Sequence, residues 1–301
     1  MSVTLEKIIE DFNLEILCDG DKTREIKIND INRPGLQIAG FYNYFTPERI
    51  QVIGKAEFSF LEDMQIEQRK KRLNKYFSFD MVCIIARGLE PQKELIDAAT
   101  KNGRILLRSN MSTTTFISKL TIYLAAKLAP ETRLHGVLMD VYGIGILITG
   151  ESGIGKSETA LELIKRGHRL VTDDAVDIKE IEGELTGSSP EITMGMLEVR
   201  GIGIIDVSAL YGLSSILPEK NISFVMHFEH WKDDGDYDRL GINDEYIDIL
   251  GVKVKKITVP VTTGRNIAVL VEAAAANYRY SLMSDISPID IIESRIDNSM
   301  K

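Results

Sequence analysis

The clearest chemistry in the chain lies in eight consecutive residues, Gly150-Glu151-Ser152-Gly153-Ile154-Gly155-Lys156-Ser157. They match the G-x-x-x-x-G-K-[ST] pattern of a phosphate-binding loop. Each position has a physical reason. Glycines let backbone N–H groups turn inward around phosphate oxygens, where a Cβ would clash. Lys156 brings a positive charge to the terminal phosphates. Ser157 brings a hydroxyl to a phosphate-bound Mg²⁺. A helix starting at the end of the loop points its positive end at the anion.

Other residues are candidates by position. His168 to Asp174 reads as a short strand ending in the paired carboxylates Asp173 and Asp174. If that strand runs parallel to the one before the loop, its carboxyl end lies beside the phosphates, where open α/β sheets collect ligands. One acid can help hold Mg²⁺ and the other can accept a proton from an attacking hydroxyl. A solvated turn is the plainer alternative. Leu197 to Val207 carries Glu198 and Arg200 ahead of Gly201 and Gly203. That pair can complete a metal shell and steady phosphate charge, or be a surface ion pair beside a hairpin. His135 either lines the site or is simply a packed or surface residue before an apolar strand. Arg239 lies among acids in a loop, where it is solvated or reaches a transferred phosphoryl group. Gly264 and Arg265, after Pro260, either bind an anion at a helix start or form an ordinary loop leading into that helix. His227 and His230 form no convincing zinc spacing.

The elements that must position these groups can be read from pattern. Val141 to Thr149 is an apolar, β-rich run ahead of the loop, with a tight turn expected at Asp140 to Gly143. Thr159 to Arg166 is helical in spacing, and Gly167 ends it. Upstream, Val3 to Leu14 reads as an amphipathic helix, and Glu15 to Leu17 and Glu25 to Ile28 as strands. Asn32 to Gly35 signals a turn, and Phe58, Leu61 and Met64 begin one helix ending in the basic run Gln68 to Lys75. That run either meets an acidic partner or is a solvated face. Met81 to Ala86 is a buried strand, Glu94 to Ala99 a helix and Ile105 to Leu107 a strand. Ser112 or Thr113 caps a helix running to Lys127, and Ala129 to Thr132 reads as a linker. The fold class is therefore α/β. An N-terminal α/β domain covers residues 1–127, and a P-loop domain ending in a helical segment covers 131–301.

Composition narrows the function. A formal charge of −9 argues against a general affinity for nucleic acid or anionic lipid. Cys18 and Cys83 are far apart and read as reduced thiols, Cys83 within the core. The N-terminus has no signal-peptide pattern and no apolar run is long enough to span a bilayer, so a cytoplasmic location is expected. H-R-D-x-x-x-x-N and D-F-G are absent, which excludes a eukaryotic-type protein kinase. No Asn-Lys-x-Asp follows the loop, so guanine specificity has no support, and no dinucleotide G-x-G-x-x-G sits in a first βαβ unit.

Together these stretches resemble the bacterial HPr kinase/phosphorylase family. The resemblance rests on His135-Gly136-Val137-Leu138, the loop with Glu158, Gly167 to Val171 with Asp173-Asp174, and Leu197 to Ile205. Asp238-Arg239-Leu240-Gly241, Gly264-Arg265-Asn266, Arg33-Pro34-Gly35 and Arg87-Gly88-Leu89 extend it over almost the full chain. It implies an enzyme that transfers the γ-phosphoryl group of ATP to a serine of the phosphocarrier protein HPr, with Mg²⁺. It also implies removal of that phosphate by inorganic phosphate, giving pyrophosphate, a homohexameric assembly and a place in carbon catabolite regulation. Carried onto matching positions, Lys156 and the loop hold phosphates, and Ser157 and Glu198 bind Mg²⁺. Asp174 is the base, His135 and Arg239 are active-site residues, and Pro260 to Arg265 serves dephosphorylation. The family commonly has Pro-Val-Arg-Pro-Gly-Arg-Asn where this chain has Thr262-Thr263, which lack the cation and the stiffening ring. Two other functions remain open on the residues alone: a P-loop kinase or ATPase acting on a small metabolite, and a nucleotide sensor that transfers nothing.

Overall fold

The computed structural model describes residues 2–231, 245–262, 264–284 and 288–299. The chain divides into two compact units, Met1–Ala129 and Pro130–Lys301. The boundary falls inside the stretch expected to be a linker. Only Ala129 and Pro130 are left to connect the units, because Glu131 and Thr132 already belong to a strand.

The first unit begins with β1 (Val3–Thr4), α1 (Leu5–Asp11), β2 (Glu15–Cys18), β3 (Glu25–Ile26), β4 (Ile31–Asn32) and α2 (Gly35–Ile38). It continues with β5 (Ile50–Ile53), α3 (Lys55–Glu62), α4 (Ile66–Phe77), β6 (Cys83–Ile85), α5 (Lys93–Lys101), β7 (Leu106–Arg108) and α6 (Thr113–Leu128). The five-stranded sheet has the order β2-β7-β6-β5-β4, with β4 to β7 parallel and β2 antiparallel at the edge. Side chains alternate along it as a pleat requires. Ile50, Val52 and Ile84 face α1 and α6, while Ile53, Cys83 and Ile85 face α3, α4 and α5. Cys18 and Cys83 are both buried and free, and burial pushes the Cys83 thiol up to about 12.

Several expectations need correction here. The N-terminal helix is shorter than Val3 to Leu14, because Val3 and Thr4 pair with Ile26 and Glu25 instead. Asn32 to Gly35 is not a free turn. Asn32 ends β4, and Pro34 serves as the N-cap of α2. The one helix expected from Phe58 to Lys75 is two. Gln65 is extended, which breaks the path between α3 and α4 while the apolar spacing runs on across it. Ser112 caps α6 as its residue type predicts, accepting from the Thr115 N–H.

The second unit holds β8 (Glu131–His135), β9 (Val137–Val141), β10 (Ile144–Gly150), α7 (Lys156–Lys165), β11 (Arg169–Thr172), β12 (Ala175–Ile181) and β13 (Glu184–Ser188). Then come β14 (Met196–Val199), β15 (Gly203–Asp206), α8 (Val207–Tyr211), β16 (Glu219–Asn221), β17 (Phe224–His230), β18 (Glu245–Ile249), β19 (Val252–Val261), α9 (Ile267–Ser281) and α10 (Pro288–Ser299). A six-stranded sheet runs β11-β9-β10-β17-β19-β18, and a four-stranded antiparallel sheet runs β16-β13-β12-β8. Ile144, Ile146 and Ile148 pack toward α7 and α9, whereas Leu138, Leu147 and Val225 pack against Val176, Ile178 and Leu185 of the smaller sheet. The apolar run Val141 to Thr149 is interrupted at Tyr142-Gly143, both with positive φ (53° and 87°), the geometry of a two-residue hairpin turn.

Strand direction decides where the site forms. β17 and β19 run parallel to β10, and β11 shares its direction because each is antiparallel to β9. The carboxyl ends of β10, β11, β17 and β19 therefore lie along one edge.

Candidate active site

The loop between β10 and α7 needs its glycines. Gly150, Gly153 and Gly155 have φ of 145°, 89° and 103°, conformations that L side chains rarely adopt. A Cβ on Gly150 would also come within 2.5 Å of the Phe228 carbonyl oxygen on the adjacent strand. Ile154 is buried and anchors the loop in the core. Gly155 is the N-cap of α7, so the first free N–H groups of that helix open onto the loop. Lys156 Nζ donates to the carbonyls of Gly150 (2.9 Å) and Glu151 (3.0 Å), folding the cation back over its own loop.

Asp173 and Asp174 follow β11 and have opposite surroundings. Asp173 is buried. Its carboxylate accepts from Ser157 Oγ (3.0 and 3.2 Å) and from the Glu198 N–H (3.0 Å). Burial raises its pKa, opposed by the Glu198 N–H and the Ser157 hydroxyl. Asp174 has φ of 67° and a side chain 80% exposed. Its Oδ1 lies 3.5 Å from Nδ1 of His135, and its backbone carbonyl 3.2 Å from the same nitrogen. This neighbourhood arises because β8 pairs with β12 in the register His135 to Ala175.

The hairpin of β14 and β15 supplies the remaining wall. Leu197 and Val199 are buried, so the pleat turns Glu198 to the other face. Gly201 and Gly203 take positive φ around the turn, which they shape without lining the site. Of the two readings of Glu198 and Arg200, the surface ion pair is not formed. Arg200 instead donates to Ser152 Oγ at 3.3 Å, and its guanidinium fills the space a Cβ on Gly153 would take.

These parts enclose a cavity of about 100 Å³ lined by Ser152, Gly153, Gly155, Lys156, Ser157, Glu158, Asp173, Asp174, Glu198 and Arg200. A family model described as HPr Serine kinase C-terminal domain matches residues 126–296. A second, described as HPr Serine kinase N terminus, matches residues 3–124. The chain belongs to the HPr serine kinase family. A Clostridium perfringens (strain SM101 / Type A) relative, called HPr kinase/phosphorylase, is 73% identical over 302 residues, covering 100% of this chain and 98% of its own. A Clostridium botulinum (strain Alaska E43 / Type E3) relative of the same name is 71% identical over 297 residues, covering 98% of each. The solved structure of the Hpr(Ser) kinase/phosphatase from Coxiella burnetii is 35% identical, covers 51% of this chain and 99% of that one, and has a TM-score of 0.48.

Within this HPr serine kinase domain, not every residue singled out in the sequence reaches the cavity. His135 stands beside Asp174 and outside the lining. Pro260 is paired with Glu229, so it sits two strands from Gly150 along the same edge, roughly 10 Å away at ordinary strand spacing. Arg265 Nη1 donates to the Pro260 carbonyl (3.1 Å), and Gly264 takes φ of 87° beside it. Neither lines the phosphate cavity. Asp238, Arg239, Leu240, Gly241 and Thr263 lie outside the described residues. One group escaped sequence reasoning as a site residue. Glu158 lines the cavity from the first turn of α7, where its spacing after Ser157 would have placed it. Outside that lining, His227 sits opposite Thr149 with Nδ1 3.0 Å from Oγ1, a pairing with no local signal.

Among the described residues no helix is long and apolar enough to cross a membrane. No cluster of three or more His, Cys, Asp or Glu suited to a metal ion occurs among them either.

Proposed function

We infer that this chain transfers the γ-phosphoryl group of ATP to a serine hydroxyl of the phosphocarrier protein HPr. It also removes that phosphate with inorganic phosphate, releasing pyrophosphate. The observation that carries the reading is the split pair Asp173 and Asp174 beside the phosphate loop, one buried on Ser157 and one exposed at the cavity. A nucleotide sensor needs the loop but has no use for an exposed carboxylate there.

The loop N–H groups and the start of α7 hold the phosphates. Lys156 exchanges the carbonyls of Gly150 and Glu151 for phosphate oxygens. Asp174 takes the serine proton as the new O–P bond forms and the bond to the β-phosphate oxygen breaks, leaving ADP. His135 orients Asp174 through its carboxylate and backbone carbonyl. In the reverse direction an oxygen of inorganic phosphate attacks the seryl phosphorus, and Asp174 returns the proton to the leaving serine oxygen. Arg200 neutralises charge over the loop. We assign Arg239 to the transferred group and Pro260 to Arg265 to the reverse reaction on the family resemblance.

The donors fit Mg²⁺. Ser157 Oγ, the Asp173 carboxylate and Glu198 offer hard oxygens around one cavity, and Mg²⁺ is usually held by one or two carboxylates plus substrate phosphates. When bound it neutralises charge on the transferred phosphoryl group. The working assembly proposed is a cytoplasmic homohexamer acting on HPr, with neither nucleic acid nor membrane as partner.

The test is label transfer from γ-labelled ATP to purified HPr with Mg²⁺, followed by added inorganic phosphate. An acid-stable, base-labile seryl phosphate on HPr, then labelled pyrophosphate, is the expected result. ATP consumption without labelled HPr would move the assignment to a small-molecule kinase or ATPase. ATP binding without consumption would leave a sensor.

A further inference from the structure

The chemistry above uses residues of the second unit. The first unit carries a separate surface cavity of about 450 Å³ between α4 and the segment following α2. Gln68, Lys71, Arg72 and Lys75 line it from one face of α4, at spacings of three, four and seven residues.

Charge accounting makes this face unusual. Five cations lie on α4. Arg69 pairs with Glu94 and Lys70 with Glu67. Lys71, Arg72 and Lys75 form no ion pair among the described residues, although the chain carries nine more acids than bases. No acid lines the cavity.

Two of the three are held in place. The Arg72 guanidinium fits where Gly40 has no side chain: φ there is 96°, and a Cβ would come within 2.5 Å of Nη1. Lys75 Nζ sits 5.1 Å from the ring centre of Phe79 and 5.9 Å from that of Tyr42, which stack on each other. The Tyr42 hydroxyl is enclosed without a hydrogen-bond partner, a donor that costs stability until it finds an acceptor. The volume is that of a small-molecule site, larger than one phosphate group needs.

We propose that this cavity binds a small phosphorylated organic anion, with Lys71, Arg72 and Lys75 on its phosphate oxygens and the Tyr42 ring against its organic part. The site is independent of the phosphate loop.

Hydrogen exchange on the full-length protein, without ATP or Mg²⁺, tests it. The probe is 2,3-bisphosphoglycerate, with inorganic phosphate and oligoglutamate alongside. The expected result is slowed exchange in peptides spanning residues 38–45 and 66–79, stronger with the bisphosphate than with inorganic phosphate. The exposed double substitution Lys71→Gln/Lys75→Gln should raise the half-maximal concentration at least tenfold and leave exchange elsewhere unchanged. Protection confined to residues 150–157, no protection, or an unchanged response in the double variant would each overturn the proposal. Stronger protection by oligoglutamate would overturn it in favour of an acidic protein surface as the occupant.

Discussion

Replacing Asp174 by Asn removes one proton acceptor and little else. Asn enters the left-handed region as readily as Asp, so the φ of 67° is kept. The side chain is 80% exposed, which limits the stability change to about 0.5 kcal/mol. The contacts proposed to hold phosphates belong to Lys156, Ser157 and the loop N–H groups, so ATP affinity should stay within about twofold. General-base help is typically worth ~10²–10⁴-fold, or roughly 3–5 kcal/mol of barrier at 1.36 kcal/mol per decade. The expected phenotype is therefore a fall in kcat and kcat/KM together. The assay is the initial rate of seryl-phosphate formation on HPr at saturating ATP, with ATP binding followed by calorimetry. His135→Ala in the Asp174→Asn background should cost little further, because its role runs through Asp174. A kcat within tenfold of the parent, with ATP binding intact, would place the base elsewhere.

Three further outcomes are expected. Gly145→Ala would set a Cβ 1.9 Å from the Asn221 carbonyl oxygen, forcing β10 and β16 apart; it should destabilise by ~1–3 kcal/mol or more and lower the thermal midpoint by several degrees. Burial, with Lys256 nearby, holds His227 below its ordinary pKa, so the unfolded chain takes up a proton first on acidification. That stability is present above about pH 6.5 and is lost as pH falls through the depressed value, so His227→Asn should flatten the decline in thermal midpoint between about pH 6.5 and 5. Replacing Thr262-Thr263 with Arg-Pro should raise the rate of pyrophosphate formation from phosphorylated HPr; no rise would detach that pair from the reverse reaction.

What could be read in advance was whatever is encoded locally. The phosphate loop, the Gly167 stop after α7 and the Ser112 cap each depend on a few adjacent residues and a backbone requirement. The α3–α4 break left no such mark. Phe58, Leu61 and Met64 keep helical spacing up to it, and the extended Gln65 is an N-cap without a capping residue type. Arg200 had two open readings for a different reason. Glu198 is its near neighbour in sequence and invites an ion pair, but the hairpin carries Arg200 to Ser152, 48 positions away. The order β11-β9-β10-β17 and the strand directions are equally silent locally, yet together they decide that the Asp pair and the loop share an edge.

The Asp173–Asp174 turn shows how one bend can give adjacent carboxylates different surroundings. The Ala175 N–H donates to the Asp173 carbonyl (2.9 Å), Thr172 Oγ1 to the Ala175 carbonyl (2.8 Å), and the Gly136 N–H to the Asp174 carbonyl (3.1 Å). The chain reverses there through the left-handed φ of Asp174, so one side chain points into the protein and the next into solvent. The buried one is costly. A carboxyl whose folded pKa is raised above its unfolded value favours the folded state fully only below about pH 3.9. That advantage is gone once the pH passes the raised value, so at neutral pH the ionised Asp173 works against folding. Its hydrogen bonds from Ser157 and Glu198 offset only part of the desolvation. A costly group beside the loop serine supports the role proposed for Asp173 in the reaction. Substitutions at the two positions should then separate. Changes at Asp173 alter both stability and nucleotide binding, whereas changes at Asp174 alter turnover alone.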